Sequence, residues 1–241
     1  MSFDILISVA FVSFIQSIFG VGVLLLGTPL LMIQGYNFTQ SIIVLLPISL
    51  LINFFQIYKH QRAIDYDFYK KILIYTVPFI VIFLILANNA KINISILIGI
   101  ILLIVGAKDF SERTNRTLNY FVRYERTYLI LMGIIHGLTN LGGSLLTIII
   151  HAKDYDKQSF RATIAASYAT FATFQIVTLI FSGFDIDIKL SMIFVCLSVG
   201  LAIFIVTEKM IFAHINADAY RNFFSGFILL SGLLLILKSV Y

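Results

Sequence analysis

From Ile5 to Tyr58 the chain carries no Asp, Glu, Lys or Arg. No soluble fold of this size hides so long an uncharged stretch, so its solvent is lipid. Six shorter uncharged windows follow, at Ile72–Ala90, Ile92–Ala107, Thr127–Ala152, Ala162–Phe184, Leu190–Thr207 and Asn222–Leu237. Each is about the length a helix needs to cross ~30 Å of hydrocarbon. Strands of a membrane barrel would alternate apolar with polar residues, which these windows do not. The sequence therefore implies an all-α polytopic membrane protein whose first partner is the lipid bilayer, and a composition of 60% hydrophobic and 12% charged residues agrees.

The net charge of +5 does not point to nucleic acid, because the basic residues lie between the apolar windows, where they set orientation. Cys196 is alone, so there is no disulfide framework and no cysteine metal site. The opening Met1-Ser2-Phe3-Asp4 lacks the basic region and cleavage site of a secretory signal, and the first apolar segment is expected to remain in the mature protein.

The two halves look alike. Gln16-Ser17-Ile18-Phe19-Gly20-Val21-Gly22 stands opposite His136-Gly137-Leu138-Thr139-Asn140-Leu141-Gly142, at an offset of 120 positions. Phe55-Gln56-Ile57 recurs as Phe174-Gln175-Ile176, and Gly99 with Leu102-Leu103 as Gly226 with Leu229-Leu230. Their common order argues for an internal repeat, with residues 1–110 as one unit, 111–126 as a cytoplasmic linker and 127–241 as the second unit.

Charge chooses between two threadings. With four full crossings per half, the 17 Lys and Arg residues divide only weakly between the two sides. If Ile5–Gln34 and Thr127–Ile150 are instead hairpins that enter and leave on one side, the loops at 59–71, 108–126, 151–161 and 208–221 share a side. That side then holds all of these residues except Lys91, Lys189 and Lys238. This is the better positive-inside pattern, with those loops cytoplasmic and both termini outside. Three crossings per half, at 41–58, 72–87 and 92–107 and then at 162–182, 190–207 and 222–237, also invert the second repeat relative to the first. Inverted repeats carrying broken helices are a common transporter plan. The expected fold is two inverted repeats, each a re-entrant or broken helix hairpin plus three transmembrane helices, in the cell (inner) membrane.

The hairpin tips carry the candidate chemistry. Gly20, Gly22, Gly27, Thr28 and Pro29 lie at the first, and Asn140, Gly142, Gly143 and Ser144 at the second. Glycine permits a non-helical turn in the membrane, and after each tip a half-helix begins with unpaired amides at its positive dipole end. Two such ends at mid-membrane would make an anion site with no Lys or Arg, and a bulkier residue at Gly22 or Gly142 would block the anion's approach. The alternative is that these glycines only let helices pack closely. Polar side chains at similar depth are Gln16, Asn53, Gln56, His136, Thr139 and Gln175, with Asn53 and Gln56 on one helix face. His136 is the only side chain within the spans whose ordinary pKa lies near neutral pH, and is read either as a proton coupler or as a neutral hydrogen-bonding residue. No Asp or Glu falls inside a full span, and there is no nucleophile motif, phosphate loop or metal-ligand spacing. The expectation is no enzyme, no cofactor and no metal.

The run Phe14-Ile15-Gln16-Ser17-Ile18-Phe19-Gly20-Val21-Gly22 through Gly27-Thr28-Pro29-Leu30-Leu31, then Gly35, resembles the opening of the sulfite exporter TauE/SafE family of prokaryotic membrane proteins. Gly137-Leu138-Thr139-Asn140-Leu141-Gly142-Gly143-Ser144 looks like that family's repeated motif. Val23 and Leu24 stand where the commoner pattern has further glycines. The resemblance implies movement, usually outward, of a small sulfur oxyanion or organosulfonate such as sulfite or sulfoacetate. A carrier for a small anionic solute, a channel of the same architecture and a non-transporting scaffold all remain open at this point, as does the oligomeric state.

Overall fold

Three of the described helices begin where the sequence supplies a side-chain cap. In the computed structural model, which describes residues 3–89, 94–107, 110–111, 120–153, 155–183, 188–211 and 217–240, Asn37 and Gln40 form a reciprocal capping box at the start of one long helix. Asp65 accepts from the backbone of Asp67 and Phe68, and Asp156 from that of Ser159, to open two more. The helices in order are α1 (Phe3–Phe19), α2 (Val23–Ile33), α3 (Phe38–His60), α4 (Tyr66–Tyr75), α5 (Val77–Asn89), α6 (Ile94–Ala107), α7 (Glu125–Thr139), α8 (Gly142–His151), α9 (Lys157–Phe181), α10 (Leu190–Ile211) and α11 (Ala217–Val240). The protein is an all-α, largely membrane-spanning, multi-pass chain.

Four stretches among the described residues are long and apolar enough to cross a bilayer: Phe38–Ala63, Tyr66–Asn89, Gln158–Phe181 and Leu190–Glu208. They match four of the six crossings expected from sequence. The other two, at 92–107 and 222–237, are helical but shorter as apolar segments, Ile94–Ala107 and Ser225–Ser239. The second crossing is divided into two helices, Tyr66–Tyr75 and Val77–Asn89. It breaks at Thr76, whose hydroxyl donates to the Leu129 carbonyl at 3.0 Å instead of to its own helix. Of the expected linker at 111–126, residues 112–119 lie outside the described residues.

Hydrogen bonds and ion pairs stitch the bundle at both ends. At one end Lys59 meets Glu208, Lys71 and Lys153 both meet Glu125, and Tyr155 donates to Asp65. At the other, Tyr36 donates to Asp4, Gln34 to Ser8, Thr39 to Asn88, and the Lys238 ammonium to the Met32 and Ile33 carbonyls. The first set gathers residues from the loops at 59–71, 108–126, 151–161 and 208–221.

These contacts also fix two helical hairpins. The end of α2 returns to the start of α1 through Asp4–Tyr36 and Ser8–Gln34, and the end of α8 returns to the start of α7 through Glu125–Lys153. The two hairpins are therefore rooted at opposite ends of the bundle. α1 lies along α10 as α7 lies along α5, and α3 packs on α10 as α9 packs on α5. α3 pairs with α9, and α6 with α11, across the middle.

Candidate functional site

Both hairpins turn by the same backbone device. Gly20 has φ +74° and Asn140 φ +63°, each closing its helix with an amide that donates at 2.8 Å four residues back, to Gln16 and His136 respectively. Glycine adopts this left-handed conformation freely, and asparagine is among the few other residues that visit it. The breaks fall at Gly20–Gly22 and at Asn140–Leu141, inside the motifs that the sequence singles out.

Gly22 and Gly142 serve the hairpins in a way that sequence does not reveal. A Cβ on Gly22 would stand 3.0 Å from the Gln16 backbone nitrogen, and one on Gly142 2.5 Å from the His136 Cβ. Each missing side chain faces the opposite arm of its own hairpin, so what it permits is close approach of the arms, where the sequence reading expected approach of an anion. Gln16 secures the first turn: its Nε2 donates to the Gly20 carbonyl at 3.0 Å and its Oε1 accepts from the Val23 amide at 2.9 Å. The first amide of α2 is thus already capped. Gly27 packs α2 against Leu45 of α3, and Pro29 sits two positions further along α2. Thr139 donates to the Ile135 carbonyl and accepts from the Leu141 amide, while Ser144 donates to the Leu141 carbonyl, so both tighten the second turn.

The second tip is the centre of a chain of side-chain hydrogen bonds. With its Nε2 protonated, His136 donates to Gln175 Oε1 at 3.2 Å. Gln175 Nε2 donates to Asn140 Oδ1 at 3.3 Å, and Asn140 Nδ2 donates to Thr28 Oγ1 at 2.9 Å. All four residues are buried, and the chain joins α7, α9 and α2. The neutral imidazole satisfies this arrangement. Gly143 leaves room for the Tyr168 hydroxyl, which lies against it. That hydroxyl and His136 Nδ1 have no hydrogen-bond partner.

The first tip has a different lining. Gln56 is only 2% exposed, yet neither its Nε2 nor its Oε1 has a partner. Its Nε2 lies 3.8 Å, and the Arg161 Nε 3.6 Å, from the point where a Gly20 Cβ would stand. Asn53, one turn before Gln56, donates to the Ser49 carbonyl and leaves its Oδ1 unpartnered. Arg161, 7% exposed, donates to the Ser17 carbonyl at 2.9 Å, and its Nη1 is 3.6 Å from Glu208 Oε1. Glu208 is also 7% exposed, and its Oε2 is held by the Lys59 ammonium at 2.5 Å.

Arg161 and Glu208 were not among the residues that sequence put forward. Each abuts the edge of an apolar window, where a charge reads as part of a loop, but α9 begins before Arg161 and α10 runs past Glu208. The available signal was that proximity: a charge within one turn of a span end is within reach of the span's interior. Among the described residues no group of three His, Cys, Asp or Glu side chains is placed to hold a metal ion.

Broken apolar hairpins whose polar tips are buried within a helical bundle are features of membrane proteins of the transporter class. The family model described as Sulfite exporter TauE/SafE matches residues 5–235, nearly the whole chain, and the protein belongs to that family. Comparison with curated proteins and with solved structures returns no match.

Proposed function

We propose that this protein is a non-enzymatic carrier that exports a small anion, a sulfur oxyanion or an organosulfonate, across the inner membrane. In this reading residues 1–110 and 127–241 are two inverted repeats, and the substrate site lies near mid-membrane between the two helix breaks. The observation that carries it is the pair of matched hairpins, rooted at opposite ends of the bundle and ending in left-handed turns at Gly20 and Asn140. Supporting it, the helix pairings are preserved when the halves are exchanged, α1 on α10 for α7 on α5 and α3 on α10 for α9 on α5. Irregular backbone at membrane depth is tolerated where it is buried in protein or lines a polar path, and in inverted-repeat transporters it frames the substrate.

Within this site Gly20 and Asn140 form the tips, with Gln56 beside the first, Gln175, Thr28 and His136 around the second, and Asn53 one turn of helix from Gln56. Gln16, Gly22, Gly27, Pro29, Thr139, Gly142, Gly143 and Ser144 hold the hairpins in shape. The deciding experiment is flux of a panel of oxyanions and organosulfonates into proteoliposomes. Saturable flux is expected. Unsaturable conductance would make the protein a channel, and no flux of any anion would leave a scaffold. Cysteine labelling is expected to place the loops at 59–71 and 151–161 on the same, cytoplasmic face.

A further inference from the structure

Buried amide side chains with no partner are rare in membrane interiors, because hydrocarbon offers nothing to replace the lost water. Gln56 is such a side chain, with both a donor and an acceptor unpartnered at 2% exposure. Its counterpart Gln175, at the same place in the repeat, has both ends engaged, by His136 and Asn140. Of the two matched glutamines only Gln56 has unmet capacity, although His136 Nδ1 and the Tyr168 hydroxyl are also unpartnered at the second tip. The charge is specific to the first tip: at the offset of 119 positions that relates the two glutamines, Ile42 stands where Arg161 stands in the second half.

Gln56 Nε2 and the Arg161 side chain approach Gly20 from different helices, α3 and α9, each within 4 Å of the position a Cβ would take. An amide donor and a guanidinium converging on bare backbone match the oxygens of an oxyanion. Glu208 completes the arrangement. One of its oxygens is fixed by Lys59, whose ammonium is itself seated 4.5 Å over the Phe55 ring, while the other faces Arg161 at the longer distance of 3.6 Å. A bound anion would replace that second, looser contact and leave the first intact.

We propose that the first hairpin tip is the anion-binding subsite, with Gln56 and Arg161 as its ligands and Glu208 as a displaceable counter-charge. Resting on the transporter reading above, this goes further by making the two breaks unequal and by setting the charge of the substrate. Arg161, Glu208 and Lys59 together carry one net positive charge. One negative charge on the ligand brings the group to neutrality, whereas two leave a net negative charge buried, which is unfavourable at low dielectric. The subsite therefore selects monoanions, such as sulfonates and hydrogensulfite, over dianions such as sulfate.

The test uses the purified full chain in proteoliposomes, with methanesulfonate as the monoanion and sulfate as the dianion, each under an imposed gradient. Wild type is expected to move methanesulfonate saturably and in preference to sulfate. Gln56→Leu is expected to raise the half-saturation concentration about tenfold, the effect of one lost hydrogen bond to a charged group. The same variant is expected to keep or raise the melting temperature in detergent, since it removes two unpartnered buried atoms, and loss of flux therefore cannot be put down to misfolding. Glu208→Gln raises the local charge by one and is expected to narrow or reverse the preference for methanesulfonate, an effect that a purely structural carboxylate would not produce. Wild-type flux of methanesulfonate with an unchanged half-saturation in Gln56→Leu would overturn this subsite and leave the transporter reading standing. An unchanged anion preference in Glu208→Gln would overturn the counter-charge, and no wild-type flux of either anion would remove both readings together.

Discussion

The two hairpin tips share a backbone and differ in what surrounds it. Each ends its first arm in a left-handed residue, Gly20 or Asn140, and each brings its arms together over a glycine two positions on. Around Asn140 the side chains of His136, Gln175 and Thr28 form a continuous chain of donors and acceptors. Gly20 itself has no side chain, and an unpartnered glutamine and an arginine both lie beside it. A repeated motif thus fixes shape twice but chemistry separately: at one tip the glutamine is tied into a hydrogen-bond chain, at the other it keeps both ends of its amide in reserve.

The largest expected effect tests the shared part. Gly142→Val places a side chain where the His136 Cβ already lies, and is expected to destabilise the protein by about 3 kcal/mol or more, with loss of monodisperse protein in detergent. Gly22→Val meets the Gln16 backbone at a longer distance and is expected to follow the same course less severely. If either variant is fully stable, its hairpin is not held by close approach of the arms.

Next in size is the contrast between the glutamines. Gln175→Leu strands Asn140 Oδ1 and His136 Nε2 and is expected to lower stability by about 1–3 kcal/mol in a denaturation titration. Gln56→Leu is expected to lower it not at all. Equal losses in the two would erase the distinction between the tips.

Gly20→Asn sharpens the comparison by giving the first tip the residue of the second. Asparagine tolerates the backbone, so the variant is expected to fold, and its amide would fill the space between Gln56 and Arg161. Anion flux is expected to fall about tenfold, the scale of one lost ligand contact.

The smallest effect concerns the root of the second hairpin. Burial opposes charge on Glu125, but the ammonium groups of Lys153 and Lys71 outweigh it and hold this carboxyl below its ordinary range. The stability it contributes is then complete above that range and is lost as pH falls through the depressed value. Glu125→Gln is expected to lower the melting temperature slightly at neutral pH, by an amount equivalent to about 1 kcal/mol or less, with the gap to wild type closing in acid.

Much of this arrangement was legible in the sequence, for identifiable reasons. The hairpin breaks could be read because glycine pairs interrupt two apolar runs at one constant offset, and a turn within such a run has few other causes. The end carrying Lys59, Lys71, Lys153 and Arg161 could be read because the apolar windows leave charge nowhere else to go. The direction of the missing side chains at Gly22 and Gly142 could not, since it depends on how the arms cross. Nor could the difference between Gln56 and Gln175, which are identical in residue and in neighbours. Only the fold decides that one meets Asn140 and the other meets glycine. Arg161 and Glu208 were passed over because hydropathy ends a segment at its first charge, while a helix ends only where its hydrogen bonds do.

Arg161, Tyr168 and Gln175 recur at seven-residue steps along α9, so they fall on one stripe of that helix, the first beside Gly20, the second over Gly143 and the third against Asn140. One continuous helix therefore acts as a ruler, its contacts with the two turns leaving it about 21 Å apart along its own axis at ~1.5 Å per residue. An axial slide of α9 would be felt at both turns at once and in the same sense. A single residue inserted between Tyr168 and Gln175 would swing the glutamine by about 100° and disconnect one turn while leaving the other in register.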